Sequence, residues 1–223
     1  MFKAVIFDFE GTLVDFQWRL EEAEAELRSR LEALGFDLED FEGDNYARLW
    51  NRAIRLSPPE RLPRVMGQLG EVYDRYDQDA LKRWSPRDGA QEVLEILRGE
   101  GIGLGVVTNV GRAAEEALGR LGLRRFLDVV ITREDVRFLK PDPEGLRRCL
   151  RILGSSPREA LFVGDSPSDL QAARAVGVPV ALVLGGEGGR EELEDMGPDH
   201  LLSSLREVVT LVATVEGGYP VSS

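Results

Sequence analysis

Residues 3–13 read KAVIFDFEGTL, an apolar and β-prone run that leads through Asp8 into a Gly-Thr turn. A short apolar run that is bounded by turn residues is typical of a strand buried within a sheet. The run is too short, and too soon followed by acidic residues, to be a secretory signal. It therefore predicts a first buried strand, with Asp8 at its carboxyl end.

The pattern changes twice after this strand. Residues 16–84 carry apolar residues at helical spacing and contain no convincing strand, and Asp44 is predicted to cap the second of three helices. After Pro86, helices alternate with strands, which implies a parallel sheet covered by helices on both faces. The strands predicted in this part are 103–108, 128–132, 160–164 and 180–184.

About seventy mostly helical residues thus separate the first strand from the rest of its sheet. The simplest architecture is a doubly wound, Rossmann-like α/β core formed by residues 1–14 and 86–223. Residues 15–85 would form a helical cap, inserted over the carboxyl edge of the sheet, where ligands bind in open α/β folds. Residues 217–223 are predicted to be a frayed tail.

Composition narrows the range of partners. The chain has 223 residues and a formal net charge of −12, which argues against binding nucleic acid through a basic surface. No window approaches the roughly 18 apolar residues of a membrane helix. Cys149 is the only cysteine, so no internal disulfide can form. We expect a cytoplasmic protein, a monomer or weak dimer, that acts on a small molecule.

Four short segments fall at the carboxyl ends of predicted strands. Each is common alone, because an acidic residue after a strand is usually a helix cap or a solvated turn. Their order and their shared location at strand ends make the combination specific. The segments are residues 8–15, 106–109, 140–141 and 164–169.

These segments hold the groups that phosphoryl transfer requires, namely an oxygen nucleophile, a cation, donors for the phosphate oxygens and an acid for the leaving group. Mg²⁺ in such sites is bound through one or two carboxylates, and Asp8 and Asp165 supply such a pair. The Thr108 hydroxyl suits a phosphate oxygen, and Lys140 supplies a point charge. The predicted substrate is a small phosphorylated metabolite, and the predicted cofactor is Mg²⁺.

The four segments resemble the motifs of the haloacid dehalogenase superfamily, in its phosphatase branch with a C1-type helical cap after the first motif, and are similar to those of phosphoglycolate phosphatase-like proteins. The family motifs are Asp-x-Asp-Gly-Thr-Leu, a strand ending in Thr or Ser, a lysine, and Gly-Asp-x-x-x-Asp. The resemblance extends from residue 2 to about residue 209.

The resemblance implies a role for each matching position. Asp8 would be the nucleophile that forms an aspartyl-phosphate. Asp165 would bind Mg²⁺ together with the Asp8 carboxylate and the main-chain carbonyl of Glu10, and Asp169 would orient metal-bound water or the lysine. The phosphate would be held by Thr108, Asn109 and Lys140.

Glu10 departs from the family pattern, which has a second aspartate as general acid and base at this position. The two carboxyl groups have similar ordinary pKa values, about 4.3 and about 3.9. Glutamate is longer by roughly 1.5 Å, and a misplacement near 1 Å can lower a rate by about a hundredfold. Three interpretations stay open: a working acid in a shifted position, a slow enzyme, or a substrate whose leaving group needs little protonation.

Two other functions remain open. A sugar phosphomutase would use the same four motifs, and a pseudoenzyme disabled by Glu10 would serve as a binding module. A dehalogenase, which needs no magnesium, is disfavoured by Asp165 and Asp169. In the cap, a solvated stripe is the favoured interpretation of Arg48 and Arg52, ahead of a clamp for a second anionic group. The residues interpreted as structural are Trp18, Tyr46, Trp50 and His200.

Overall fold

The computed structural model describes residues 1–216, so the predicted tail lies outside the described residues. Six strands form one sheet in the order β3-β2-β1-β4-β5-β6, and every neighbouring pair is parallel. This is the strand order of a doubly wound fold, as predicted. The strands are β1 Ala4–Phe7, β2 Gly103–Val107, β3 Val129–Ile131, β4 Ala160–Gly164, β5 Val180–Val183 and β6 His200–Leu202.

Nine α-helices lie within the described residues, and the first three stand between β1 and the rest of the sheet, as predicted for an inserted helical unit. None of the described helices is long and apolar enough to cross a membrane. The helices are α1 Leu20–Ala33, α2 Tyr46–Leu56, α3 Leu62–Leu81, α4 Ala90–Gly99, α5 Ala113–Arg120, α6 Glu144–Leu153, α7 Pro167–Arg174, α8 Arg190–Asp195 and α9 Glu207–Glu216.

Two apolar cores cover the faces of the sheet, because successive side chains of a strand point to opposite faces. Ala4 and Ile6 pack in the core that lies under α6, α7 and α8. Val5 and Phe7 pack in the other core, which includes residues of α4, α5 and α9 and continues into α1, α2 and α3. The inserted helices therefore share a continuous core with the sheet.

One helix start differs from its prediction. The side chain of Asn45, and not that of Asp44, caps α2 by accepting a hydrogen bond from the Arg48 main-chain N–H at 3.1 Å. Asn45 is extended, which lets its side chain turn back onto the first turn of the helix. Asp44 is instead paired with Arg52 Nε at 2.5 Å.

The inserted helices are attached over the carboxyl edge of the sheet. From α2, the Trp50 indole N–H donates to the main-chain oxygen of Arg137 at 3.0 Å. From α3, the buried Asp77 accepts hydrogen bonds from the Gly111 N–H at 2.9 Å and from Arg133 Nη1 at 2.8 Å. These contacts attach the inserted helices to the segments that follow β2 and β3.

Candidate active site

Asp8 follows β1 directly, and Lys140 is its closest charged partner. The main-chain N–H of Asp8 donates to the Val163 oxygen of β4 at 2.8 Å. Lys140 Nζ bonds Asp8 Oδ1 and lies 2.7 Å from Asp169 Oδ1, with all three side chains buried. Burial raises the pKa of Asp8 to about 6, although Lys140 lowers it. Burial lowers the pKa of Lys140, but the carboxylates of Asp169 and Asp8 raise it by more. The net pKa is raised, so the ammonium stays charged.

Asp165 stands at the end of the neighbouring strand, β4. Its Oδ1 accepts from the Thr12 hydroxyl at 2.8 Å, and its Oδ2 accepts from the Glu187 N–H at 2.6 Å. Gly11, with φ +84°, lies so close that a Cβ there would be 2.2 Å from Asp165 Oδ2. The Gly-Thr turn after the first strand therefore forms part of the pocket for this carboxylate. Burial, and then the charges of Asp8 and Asp169, raise the pKa of Asp165 well above its ordinary value.

Asp169 connects the lysine to the loop after β4. Its Oδ2 accepts from the Asp165 N–H at 3.1 Å, the Ser166 N–H at 3.1 Å and the Ser166 hydroxyl at 2.8 Å, which caps the start of α7. Its Oδ1 accepts from Lys140. Because both oxygens are engaged, the arrangement favours a positioning role for Asp169 toward the lysine.

The three aspartates form a cluster that could hold a divalent cation. Carboxylate oxygens of Asp8, Asp165 and Asp169 lie within 4.8 Å of one another. Burial, and then the charges of the neighbouring aspartates, raise the pKa values of Asp8 and Asp165, and Lys140 alone does not balance the three carboxylates. A hard cation that prefers oxygen donors fits this set. Sequence analysis did not predict Asp169 as a metal ligand, but the structure brings its carboxylate into the same cluster as those of Asp8 and Asp165.

Thr108 and Asn109 follow β2 and lie beside the lysine. Thr108 is buried, and its hydroxyl oxygen accepts from the Val110 N–H at 3.1 Å. The side-chain amide of Asn109 donates to the main-chain oxygen of Lys140 at 3.1 Å and accepts from its N–H at 2.8 Å. The Asn109 side chain thus holds the lysine in place. Its contribution to phosphate binding would come from its main-chain N–H.

Glu10 is attached to both segments that join the sheet to the inserted helices. Its Oε1 accepts from the Gln17 N–H at 2.7 Å, the Trp18 N–H at 2.8 Å and the Trp84 indole N–H at 2.8 Å. Burial raises the pKa of Glu10 to about 8, although these three donors lower it. The carboxyl group is therefore protonated near neutral pH and can donate a proton. The added length of glutamate allows it to reach these three donors.

A cavity joins these groups and is covered by the inserted helices. Trp18 and Trp50 are buried, as predicted. Tyr46 was predicted to be structural, and its ring packs beside Trp18 with centroids 5.0 Å apart. The side chain is half-buried and also lines the cavity. The predicted residues that line the cavity are Asp8, Glu10, Thr108, Asn109 and Lys140. Asp165 and Asp169 lie next to the cavity, flanking the lining residues Ser166 and Ser168.

Sequence analysis missed Glu187, which lines the same cavity. It lies in the loop after β5, in the sequence Gly-Gly-Glu-Gly-Gly of residues 185–189. Burial, and then the charges of Asp169 and Asp8, raise its pKa to about 7. One charged residue between two glycine pairs at the carboxyl end of a strand is the signal that could have identified it.

Comparisons with known proteins agree with this geometry. The chain is 34% identical over 215 residues to a plasmid-encoded phosphoglycolate phosphatase of Cupriavidus necator, a match that covers 94% of this chain and 92% of the relative. It is 35% identical over 123 residues to the pyrophosphatase PpaX of Bacillus cereus, covering 55% of this chain and 57% of that protein. A Thermotoga maritima structure assigned as a β-phosphoglucomutase superposes with a TM-score of 0.63 at 25% identity, covering 96% of this chain and 99% of that one.

A family model also matches most of the chain. The model for haloacid dehalogenase-like hydrolases matches residues 2–177, a range that includes both strand-end aspartates, the lysine and the inserted helices. The chain belongs to the haloacid dehalogenase-like hydrolase family.

Proposed function

We propose that the protein hydrolyses a small phosphate monoester in a Mg²⁺-dependent reaction, with Asp8 as the covalent nucleophile. The observation that carries the proposal is the position of the Asp8 carboxylate. It lies at the tip of β1, is bonded to Lys140, and opens into a covered cavity beside Asp165. Relatives named as a phosphoglycolate phosphatase and a pyrophosphatase support phosphate chemistry.

Mg²⁺ would be held by the Asp8 and Asp165 carboxylates and the main-chain carbonyl of Glu10, with Asp169 positioning Lys140. The ion would offset the charge of the phosphate when bound. The phosphate oxygens would be held by the Lys140 ammonium, the Thr108 hydroxyl and the main-chain N–H of residue 109. Asp8 and these three residues all line the cavity.

In the first step an Asp8 carboxylate oxygen attacks phosphorus and forms a P–O bond. The ester P–O bond breaks, and the leaving oxygen takes the proton of the Glu10 carboxyl group. In the second step the Glu10 carboxylate accepts a proton from water while the water oxygen attacks the aspartyl-phosphate. The bond between phosphorus and Asp8 then breaks, and inorganic phosphate leaves. A pKa of about 8 makes Glu10 protonated for the first step near neutral pH.

Residues 15–85 would act as the cap that covers the phosphate and excludes water. The boundary is supported by the contacts of Glu10, because Gln17 and Trp18 stand in the first connecting segment and Trp84 stands in the second. The carboxyl group that would donate the proton is therefore bonded to both connections of the cap.

A sugar phosphomutase is the second candidate, and the similarity to the Thermotoga maritima structure favours it. A phosphomutase would transfer the phosphoryl group from Asp8 to a different hydroxyl group of the sugar. Activity would then depend on a sugar bisphosphate activator and would release no net phosphate. Hydrolysis predicts stoichiometric release without an activator.

The test is phosphate release from a panel of phosphate esters with Mg²⁺ and with EDTA. We expect release that needs Mg²⁺ and is abolished by Asp8→Asn, while Asp195→Asn, an exposed control, leaves it unchanged. Acid quenching during turnover should trap a phosphoryl group on the peptide that contains Asp8. Turnover that survives Asp8→Asn, or the lack of turnover of every ester, would overturn the proposal.

A further inference from the structure

The walls of the cavity indicate what lies beyond the phosphate. Most of the lining contributed by the cap and its connections is apolar or aromatic, as expected for a site that holds an organic leaving group. Two groups beside this apolar wall could bond a polar substituent, the Tyr46 hydroxyl of the cap and the Glu187 carboxylate from the loop after β5. The apolar and aromatic lining residues are Phe16, Trp18, Leu20, Tyr46, Tyr73 and Val110.

The position of Glu187 is fixed by its loop. Its N–H donates to Asp165 Oδ2 at 2.6 Å, and the N–H of Gly188 donates to the main-chain oxygen of Asp165 at 3.1 Å. A Cβ at Gly186 would lie 2.1 Å from Asp165 Oδ2, so the loop packs directly on that aspartate. The carboxylate of Glu187 accepts no hydrogen bond from any side chain or N–H of residues 1–216. Its carboxyl group therefore lines the cavity with both oxygens available to a ligand.

The other acidic residue of the upper wall is already satisfied. Asp77 accepts from the Trp18 indole N–H at 3.0 Å, from the Gly111 N–H at 2.9 Å and from Arg133 Nη1 at 2.8 Å. Asp77 therefore offers little to a ligand, and Glu187 is the acceptor that remains.

Cationic groups are missing where a second anion of a substrate would need them. Lys140 is the one lysine or arginine that lines the cavity within residues 1–216, and it is shared between Asp8 and Asp169. Arg133 is paired with Asp77 and does not line the cavity. A carboxylate or a second phosphate on the substrate would be buried beside Glu187 without a cationic partner. Burying an unpaired charge in this way is strongly unfavourable.

We propose that the cavity selects phosphate esters whose leaving group carries a hydrogen-bond donor, a primary ammonium above all, and that Glu187 is the residue that determines this specificity. The proposal rests on the proposed function and names its substrate class. An ammonium would donate to the Glu187 carboxylate, with the Tyr46 hydroxyl as a second acceptor. This preference would differ from that of the relatives, whose names imply anionic leaving groups.

Phosphoethanolamine and phosphoglycolate form a matched pair for the test, since they have the same chain length and end in an ammonium and a carboxylate. At about pH 8 we expect kcat/KM to favour phosphoethanolamine by about tenfold or more. Glu187→Gln should bring the ratio close to one, and Glu187→Lys should reverse it. Glu191→Lys, the same change at an exposed position, should leave the ratio unchanged.

Binding separates this inference from the proposed function. Calorimetric titration of both esters into the full-length Asp8→Asn protein should give the same preference, and adding Glu187→Lys should reverse it. Hydrolysis of both esters without preference for the amine would reject the inference and leave the function standing. The absence of hydrolysis together with a binding preference that depends on Glu187 would reject the function and leave the inference standing. Tighter binding of phosphoglycolate to the protein with Glu187 intact would overturn the inference in either case.

Discussion

The side-chain amide of Asn51 and the main-chain peptide groups of Leu139 exchange two hydrogen bonds, each 2.8 Å long. Asn51 belongs to α2 in the inserted helices, and Leu139 directly precedes Lys140. Asn109 of the core makes the same kind of pair with Lys140 itself, at 3.1 and 2.8 Å. Two asparagines from different parts of the molecule therefore hold consecutive residues, and docking of the helices is coupled to the position of the lysine.

Asn51→Ala should weaken this coupling. The substitution leaves buried main-chain groups of Leu139 without partners. It should therefore lower the free energy of unfolding by about 1–3 kcal/mol. It should also lower kcat more than it changes KM, because the lysine loses its support. The measurements are urea unfolding and steady-state kinetics. Arg64→Ala, at an exposed position of α3, is the control, and equal behaviour of the two variants would contradict the coupling.

Replacing Glu10 with glutamine tests its role as the acid. Glu10→Gln keeps an oxygen that accepts from the Trp84 indole, but an amide does not donate a proton as a carboxylic acid does. We expect kcat/KM for an alkyl phosphate, which reports the first step and not the hydrolysis of the aspartyl-phosphate, to fall by about 10²–10⁴-fold. The kcat/KM for p-nitrophenyl phosphate should fall much less, because nitrophenolate leaves without protonation. Equal losses for the two substrates would show that Glu10 does not protonate the leaving group.

The stability of the metal-free protein should depend on pH. The pKa values are raised to about 6 for Asp8, about 8 for Glu10 and about 7 for Glu187. Between their ordinary values and these raised values, the folded chain binds more protons than the unfolded chain. The free energy of unfolding should therefore fall as the pH rises from about 5 to about 8. Urea unfolding in EDTA across this range measures the slope.

Two additions make this measurement specific. Mg²⁺ at the upper end of the range should raise the urea midpoint, because it binds the ionised carboxylates of the folded state. Glu10→Gln should flatten the slope, because its side chain does not titrate. A stability that is constant or rises over this range in EDTA would argue against the raised pKa values.

Cys149 should be unreactive in the folded protein. It is fully buried in α6, and burial raises the pKa of its thiol. Since the thiolate is the reactive form, a thiol-specific reagent should label the native protein only as fast as it unfolds. Labelling in denaturant gives the full extent as the control. Rapid labelling of the native protein would show that α6 opens locally.

Much of the fold and part of the site could be predicted because the signals are local. The ends of apolar runs place Asp8 and Asp165, and parallel strands bring their carboxyl ends to one edge. The helical spacing of residues 16–84 is also a local pattern, and it predicts the inserted helices. The N-cap residue of α2 was predicted one position too early, at Asp44 instead of Asn45, because both side chains suit an N-cap position.

The sequence by itself determined the parallel sheet, the inserted helices and the set of residues at the strand ends, since hydrophobic period and turn residues are properties of neighbouring positions. Only the tertiary structure decided the partners of Glu10, the pairing of Asn51 with Leu139 and the exposure of Glu187 to the cavity. Trp84 is 74 positions from Glu10, and Leu139 is 88 positions from Asn51. Such contacts depend on how the helices pack over the sheet, and no local pattern encodes that packing.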